Sequence, residues 1–197
     1  MKESPELLDE DFFKRSPLDC ARELIGCRLE WKGCGGVIVE TEAYAAKGDE
    51  ACHAHVRPSS RRFISEHGAG TAYVYLNYGV HWLFNVLVKG GRSDGFVLIR
   101  AMEPVSGIQR MRRRRRREAV TDLCSGPGKL TQALGMDGSL HGLALLDVPD
   151  FLLSRESSPP EDEPTACRRV GISRAVERKW RFVRSGSPCL SVRPGAE

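Results

Sequence analysis

Apolar residues recur along the chain with two different periods, and the switches between them divide it into elements. Phe12 and Phe13 precede Ser16-Pro17-Leu18-Asp19, where a serine can cap a helix, a proline suits its first position and an aspartate opposes its dipole. Leu18, Ala21, Leu24 and Ile25 follow at helical spacing and Gly26 ends the run, which predicts a first helix packed on a sheet. Residues 27–31 and 37–44 read as strands, and the glycine-rich stretch 32–36 between them predicts a hairpin turn. In the second strand a period of two puts Glu40, Glu42 and Tyr44 on one face, with Val39, Thr41 and Ala43 on the other. Two carboxylates and a tyrosine therefore share a surface.

Residues 73–77 and 81–88 are rich in aromatic and β-branched side chains and flank Asn77-Tyr78-Gly79-Val80, which predicts a protruding hairpin with a tyrosine at its tip. A further strand is expected over 96–99, after which Glu103-Pro104 opens a helix that runs into an arginine-rich segment. The stretch Ser125-Gly126-Pro127-Gly128-Lys129-Leu130 reads as a loop feeding a helix to about Leu134, and the free N–H groups of such a loop suit a phosphate. It lacks the full Walker A spacing, which excludes a nucleotide-hydrolysing P-loop. Residues 154–165 are proline-rich and acidic and read as an exposed loop, while 181–184 and 190–192 read as closing strands. No repeat or linker interrupts the pattern. The expected architecture is α+β: a single compact domain over residues 1–197, mainly an antiparallel curved sheet with packed helices, with flexible ends at 1–6 and 193–197.

Composition sharpens this picture in three respects. Hydrophobic residues make up 41% and charged residues 28% of the chain, a globular balance without an apolar run of membrane-spanning length, so no membrane partner is expected. The polar, acidic start Met1-Lys2-Glu3-Ser4-Pro5-Glu6 fits neither a signal nor a transit peptide. The seven cysteines are scattered and never spaced as CxxC, so they are read as reduced, mostly buried thiols; Cys52, His53 and His55 lack a second cysteine pair, and no metal is expected. Charge is the most informative of the three. Seven arginines lie between Arg110 and Arg117, and taking them from the net +4 leaves −3 for the remainder. The positive field is thus concentrated in one segment, which suits an extended anionic partner; a disordered, solvated charge run is the alternative.

Several segments together carry a specific resemblance. Val39-Glu40-Thr41-Glu42-Ala43-Tyr44, Asp49-Glu50-Ala51-Cys52-His53 and Tyr73-Val74-Tyr75-Leu76-Asn77-Tyr78-Gly79 resemble the alkyladenine (3-methyladenine) DNA glycosylase family. Leu98-Ile99-Arg100-Ala101-Met102-Glu103-Pro104, Cys124-Ser125-Gly126-Pro127-Gly128-Lys129-Leu130 and Arg169-Val170-Gly171-Ile172 extend the match in order from Leu7 to Val192. The resemblance implies a monofunctional enzyme of base excision repair, without cofactor, that flips an alkylated or deaminated purine from double-stranded DNA and hydrolyses its N-glycosidic bond. It implies that Glu42 is the general base, that Tyr44, His53 and Tyr75 stack on the extruded base, and that Asn85 excludes the 2-amino group of guanine. Tyr78 becomes the residue that fills the gap in the duplex. Arg100, Ser125, Gly126 and Lys129 become phosphate or pocket contacts. The chain departs from the family pattern at Pro58-Ser59-Ser60-Arg61-Arg62-Phe63, where Arg61 or Arg62 can still meet a phosphate, and in the density of its arginine run.

Each assignment has a plainer counterpart. Glu42 can be a solvated strand residue with Glu40 as the competing base, Tyr44 and Tyr75 can be core aromatics, and Arg100 can be a surface ion pair. As a whole, the alternative is a non-catalytic damaged-DNA or RNA binding module on the same fold, and a third possibility is formyl transfer or tRNA processing on a related scaffold. A monomer is expected, cytoplasmic and nucleoid-associated in a bacterium or nuclear in a eukaryote, with the acidic loop at 154–165 turned away from DNA.

Overall fold

The computed structural model describes residues 6–155 and 163–196. Two twelve-residue strands, β2 (Cys34–Ala45) and β5 (Gly95–Ser106), pair antiparallel through the centre of the sheet. Around them the order is β3 (Ala72–Asn77), β4 (His81–Val88), β5, β2, β1 (Arg28–Trp31) and β6 (Phe151–Ser154), all antiparallel. β2 changes partner along its length: it pairs with β1 as far as Val37 and with β8 (Arg181–Val183) from Glu40 to Glu42, and β8 in turn pairs with β7 (Thr165–Cys167). Eight strands and six α-helices among the described residues bear out the α+β expectation.

The period of two sorts the sheet into two faces. Ala43, Val74, Phe84, Val86, Val97 and Ile99 point into the main core, packed by α2 (Pro17–Glu23) through Cys20 and Ala21 and by α6 (Pro127–Leu134) through Leu130, Ala133 and Leu134. Ser16 caps α2 by accepting the Asp19 N–H at 3.2 Å, with Pro17 at its first position, as the sequence suggests. On the opposite face Tyr73, Leu87 and Phe96 meet Cys52, Ala54, Phe63 and Ile64. The last four come from or adjoin α3 (His53–Val56) and α4 (Pro58–Glu66), which the sequence reading leaves unassigned. Their apolar positions are too few for the periodicity to stand out from the surrounding histidines and arginines. All seven cysteines are buried, and no helix among the described residues is long and apolar enough to cross a membrane.

Four expectations need correction. The hairpin turn is only Lys32-Gly33, both at positive φ (47° and 70°), because Trp31 already pairs with Cys34. Gly35 and Gly36 belong to β2, where a Cβ at Gly36 would stand 2.1 Å from the Glu103 carbonyl oxygen. Glu103 and Pro104 continue β5 instead of opening a helix; Pro104 sits where the register slips between Gly35 and Gly36, a place that does not demand an N–H. α5 (Ile108–Arg115) starts only after Gly107. Residues 190–192 form no strand, since the Ser191 N–H donates to the Glu40 carboxylate at 2.7 Å instead of to a neighbouring strand. Lastly, Val39 leaves the face of Thr41 and Ala43: it is the extra residue of a β-bulge between Ile38 and Glu40 and packs on Ala101 and Cys189. Of the acidic residues in the 154–165 loop, Glu156, Glu161 and Asp162 lie outside the described residues, and Glu163 is exposed.

The arginine run is an ordered helix and its end, not a disordered charge run. Arg110, Arg112, Arg114 and Arg115 donate to the carbonyls of Lys32, Glu118, Ala133 and Leu123, while Arg113, Arg116 and Arg117 remain exposed. Arg114 closes the C-terminus of α6, whose free carbonyls carry partial negative charge. Loss of that charged, partly buried hydrogen bond in Arg114→Ala is expected to cost about 1–2 kcal/mol in urea unfolding. Arg113→Ala and Arg117→Ala should stay within about 0.5 kcal/mol of wild type. An unchanged midpoint for Arg114→Ala contradicts its capping role.

Candidate active site

On the sheet face opposite the main core, a cleft of about 540 Å³ opens between β3, β4, β5, the end of β2 and the loop at 170–174. That volume lies within the usual range of small-molecule sites, about 300–1,000 Å³. Alternation explains the lining. Tyr73, Tyr75 and Asn77 on β3, Leu83 and Asn85 on β4, and Phe96, Leu98 and Arg100 on β5 all reach it, whereas the intervening Val74, Phe84, Val86, Val97 and Ile99 point into the main core.

Glu42 lies beneath this cleft and is fully buried. Its Oε2 accepts the Tyr44 hydroxyl at 2.6 Å and pairs with Arg100 Nη1 at 3.3 Å, and its Oε1 accepts the Val170 N–H at 2.7 Å. Tyr44, Arg100 and Val170 all line the cleft. Burial, reinforced by the charge of Glu42 and its hydrogen bond, pushes the Tyr44 phenol well above its ordinary pKa, so it remains a donor.

Glu40 is equally buried but differently used. Its Oε1 accepts from Arg100 Nε (2.9 Å), Arg181 Nη1 (3.0 Å) and Ser191 Oγ (2.7 Å), and its Oε2 takes the Ser191 N–H at 2.7 Å. Burial alone would raise the Glu40 carboxyl; the charge of Arg100 and the donors of Ser191 outweigh it and hold the group below the usual range. All three partners of Glu42 line the cleft, whereas of the partners of Glu40 only Arg100 does. Arg100 stands between them, 6% exposed, also donating to Ser191 Oγ at 3.1 Å. It is the residue skipped in β5 where the register shifts between Glu40 and Thr41. A bulge re-aims a side chain in this way.

The aromatic wall is tied together by hydrogen bonds. The rings of His53 and Tyr75 lie 4.5 Å apart, and His53 Nδ1 meets the Tyr73 hydroxyl at 3.1 Å, which also contacts Ser60 Oγ at 2.9 Å. Desolvation, helped by the charge of Arg57, lowers the His53 pKa to about 4, and desolvation raises Tyr75 to about 12. Asn85 is buried and its Nδ2 donates to the Tyr73 carbonyl at 3.1 Å, which leaves the amide oxygen as the group to face a ligand. At the rim, Tyr78 joins β3 to β4 and is 91% exposed with φ +49°, followed by Gly79 at φ +69°. A left-handed tyrosine in solvent is uncommon, and it gains nothing here from packing.

The remaining expected contacts lie around this core. Pro127 lines the cleft, next to Ser125, Gly126 and Lys129, and Lys129 Nζ donates to Ser125 Oγ at 3.1 Å. Arg61 is exposed on α4 with its guanidinium donating to the Ala54 and His55 carbonyls, a tether between α3 and α4. Tyr73 and the loop after Arg169 lie in segments that carry the resemblance, but the sequence reading gives neither a role in the site. Tyr73 could have been found, since it shares the parity of Tyr75; the Val170 amide could not, because a backbone donor leaves no residue signature. Among the described residues no group of three or more His, Cys, Asp or Glu side chains is placed to hold a metal ion.

Residues 11–188 match the family model of methylpurine-DNA glycosylase. A protein of Rhodopseudomonas palustris strain BisB18 is 45% identical over 96% of this chain and 92% of its own length. One of Agrobacterium fabrum is 44% identical over 95% and 93%, and one of Salinibacter ruber 42% over 90% and 92%. All three carry the name 3-methyladenine DNA glycosylase as a provisional assignment.

The low pKa of His53 has a testable consequence. Its folded value lies below the unfolded value of about 6.5, so folding favours the neutral ring. Stability is full above the unfolded pKa and declines as pH falls from there towards 4. Imidazole nitrogen NMR should show His53 uncharged throughout pH 5.5–8; a titration centred near 6.5 contradicts its buried placement.

Proposed function

The chain belongs to the methylpurine-DNA glycosylase family, and from that premise we propose that its cleft receives a damaged purine rotated out of double-stranded DNA and releases it by hydrolysis. The observation that carries this reading is the fully buried Glu42 carboxylate, held by three donors beneath an aromatic cleft whose rim bears an exposed tyrosine. A binding module without chemistry has no need to bury and orient a carboxylate there.

Each side chain then has a physical task. Extruding a nucleotide costs a few kcal/mol, and Tyr78, already outside the fold, fills the vacated stack and offsets part of that cost. The purine enters between Tyr44 on one side and His53 and Tyr75 on the other, where stacking contributes about 1–3 kcal/mol. As the bond to C1′ lengthens, the sugar becomes cationic. Glu42 stabilises that charge and takes a proton from the attacking water, and the product is an abasic sugar with the strand intact. Asn85 presents its amide oxygen at the edge of the base and crowds a 2-amino group. Ser125, Gly126 and Lys129, beside the cleft-lining Pro127, and Arg61 on α4 are the candidate phosphate contacts. Arg100 belongs to the floor: its donors are committed to Glu40, Glu42 and Ser191.

Leaving-group chemistry favours one lesion class. With His53 at about 4 and Tyr75 at about 12, neither wall residue is a proton donor tuned to neutral pH. A purine alkylated at N3 or N7 is already cationic, needs no protonation to depart and stacks well on electron-rich rings. Hypoxanthine is neutral and lacks both advantages. We read the protein as a monomer acting on DNA in the bacterial cytoplasm, a reading that its bacterial relatives support.

Abasic-site formation on a duplex carrying one methylated purine tests the reading. Glu42→Gln should bind the duplex within about threefold of wild type yet excise at least 100-fold more slowly, the usual scale for general base catalysis. Wild-type excision by that variant rejects Glu42 as the base. Tyr78→Gly relieves the left-handed strain and should unfold no more easily than wild type, while excision falls about tenfold from lost extrusion. Unchanged excision by a folded Tyr78→Gly protein removes the wedge from the mechanism.

A further inference from the structure

A second buried ion pair stands behind the cleft wall and is not used by the chemistry above. Asp49 and Arg169, both with fully buried side chains, meet in a bidentate contact: Nη1 to Oδ2 at 2.6 Å and Nη2 to Oδ1 at 2.8 Å. Asp49 is anchored to the end of β2, where its oxygens accept the N–H groups of Ala45 (3.3 Å) and Ala51 (3.2 Å). Arg169 also donates to the Ala43 carbonyl at 2.9 Å. Its guanidinium carbon lies 4.7 Å from the centre of the Tyr44 ring and 5.2 Å from that of Trp180, while the buried Nε has no hydrogen-bond partner among the described residues. The next residue, Val170, supplies the N–H that Glu42 receives.

We propose that the Asp49–Arg169 pair is a positioning element, which registers the loop at 168–174 against β2 and thereby fixes both the Val170 N–H on Glu42 and the Tyr44 ring in the cleft wall. This deepens, and rests on, the glycosylase reading. Energetics favour the role. A buried ion pair is often no better for stability than apolar residues of the same volume, because desolvation offsets the attraction. Here one guanidinium nitrogen is left without a partner as well, an added cost. What the arrangement achieves is direction. The planar fork admits one orientation against a carboxylate, and the third contact, to Ala43, removes the remaining freedom. One residue further along, the backbone N–H is delivered to Oε1 of Glu42. The guanidinium supports one face of Tyr44, whose hydroxyl holds Oε2. Both oxygens of the proposed base are thus oriented from a single buried pair that does not itself line the cleft.

The test uses the full-length protein carrying Asp49→Asn or Arg169→Lys, each keeping size and polarity while spoiling the bidentate contact. Single-turnover excision on a methylated-purine duplex, duplex affinity and the amide proton resonance of Val170 are measured together. The expected result is a rate loss of about 10- to 100-fold, the scale of a displaced catalytic group, with affinity within threefold and the Val170 resonance moved upfield. Arg169→Lys, which retains the charge, should lose less than Arg169→Ala. Wild-type rates in the folded variants overturn the proposal, as does a rate loss matched by lost affinity with the Val170 resonance unmoved. If Arg169→Ala does not fold, Asp49→Asn and Arg169→Lys decide between these outcomes. Glu42→Gln run in parallel separates the two claims: were it fully active, the glycosylase assignment to Glu42 fails, while the Val170 resonance still reports whether the pair positions the loop.

Discussion

Two carboxylates and two guanidiniums lie out of water beneath the cleft, and they can remain charged there only because each touches an opposite charge. Isolated, any one of them would cost several kcal/mol to bury. Glu40 meets Arg100 and Arg181, Arg100 reaches on to Glu42, and Ser191 closes the remaining gap with its hydroxyl and its N–H. These groups come from four separate parts of the chain. The requirement that none be left unpaired therefore dictates how β2, β5, β8 and the segment around Ser191 meet, more strictly than apolar packing would.

The paired β-bulges follow from the same requirement. In a regular ladder Val39 would share the face of Thr41, and Arg100 would lie directly opposite a β2 residue. Slipping one residue on each strand sends Val39 towards Cys189 and leaves Arg100 between two glutamates. Apart from the slip at Gly35 and Gly36 near the start of β2, irregularity between β2 and β5 falls where charge must be arranged, and the alternation from Thr41 to Ala45 stays intact. That regularity is what separates a dry face, closed by α2 and α6, from a wet face that α3 and α4 cover only in part. The two glutamates, one pleat apart, divide their tasks accordingly. Glu40 is saturated by cations and a backbone N–H and acts as a fixed counter-charge. Glu42 is held by groups that themselves reach the cleft.

How much of this was legible in the sequence depends on whether a side chain or the backbone carries the information. The shared face of Glu40, Glu42 and Tyr44, the exposed turn at Tyr78 and the capped helix after Ser16 were all legible, because alternation, turn residues and caps leave a side-chain signature. The course of β5 through Glu103 and Pro104 was not. A proline after a glutamate resembles a helix start, and only the partner strand, with glycines where a Cβ would collide, reveals an extended chain. Nor could Ser191 be read correctly, since its N–H is claimed by a carboxylate some 150 positions earlier in the chain. α3 and α4 escaped notice for a milder reason: in so polar a stretch, two short helices bury only a handful of residues.

The electrostatics of the cleft bear on what it can release. A site that hydrolyses a glycosidic bond can help the sugar become cationic, help the base become a good leaving group, or do both. Here the first device is built in, as a buried carboxylate with fixed donors. The second is not supplied by the walls: desolvation keeps the imidazole of His53 neutral and leaves the phenols of Tyr44 and Tyr75 too weakly acidic to give up a proton readily. Those same desolvated rings are good surfaces for a delocalised cation, whose own hydration is weak. Burial thus acts twice in one direction, withholding acid catalysis and rewarding a base that carries its positive charge before it arrives. Within the proposed reading, a preference for bases that arrive already charged follows from the lack of a tuned acid in the wall, with Asn85 left to act on the 2-amino edge.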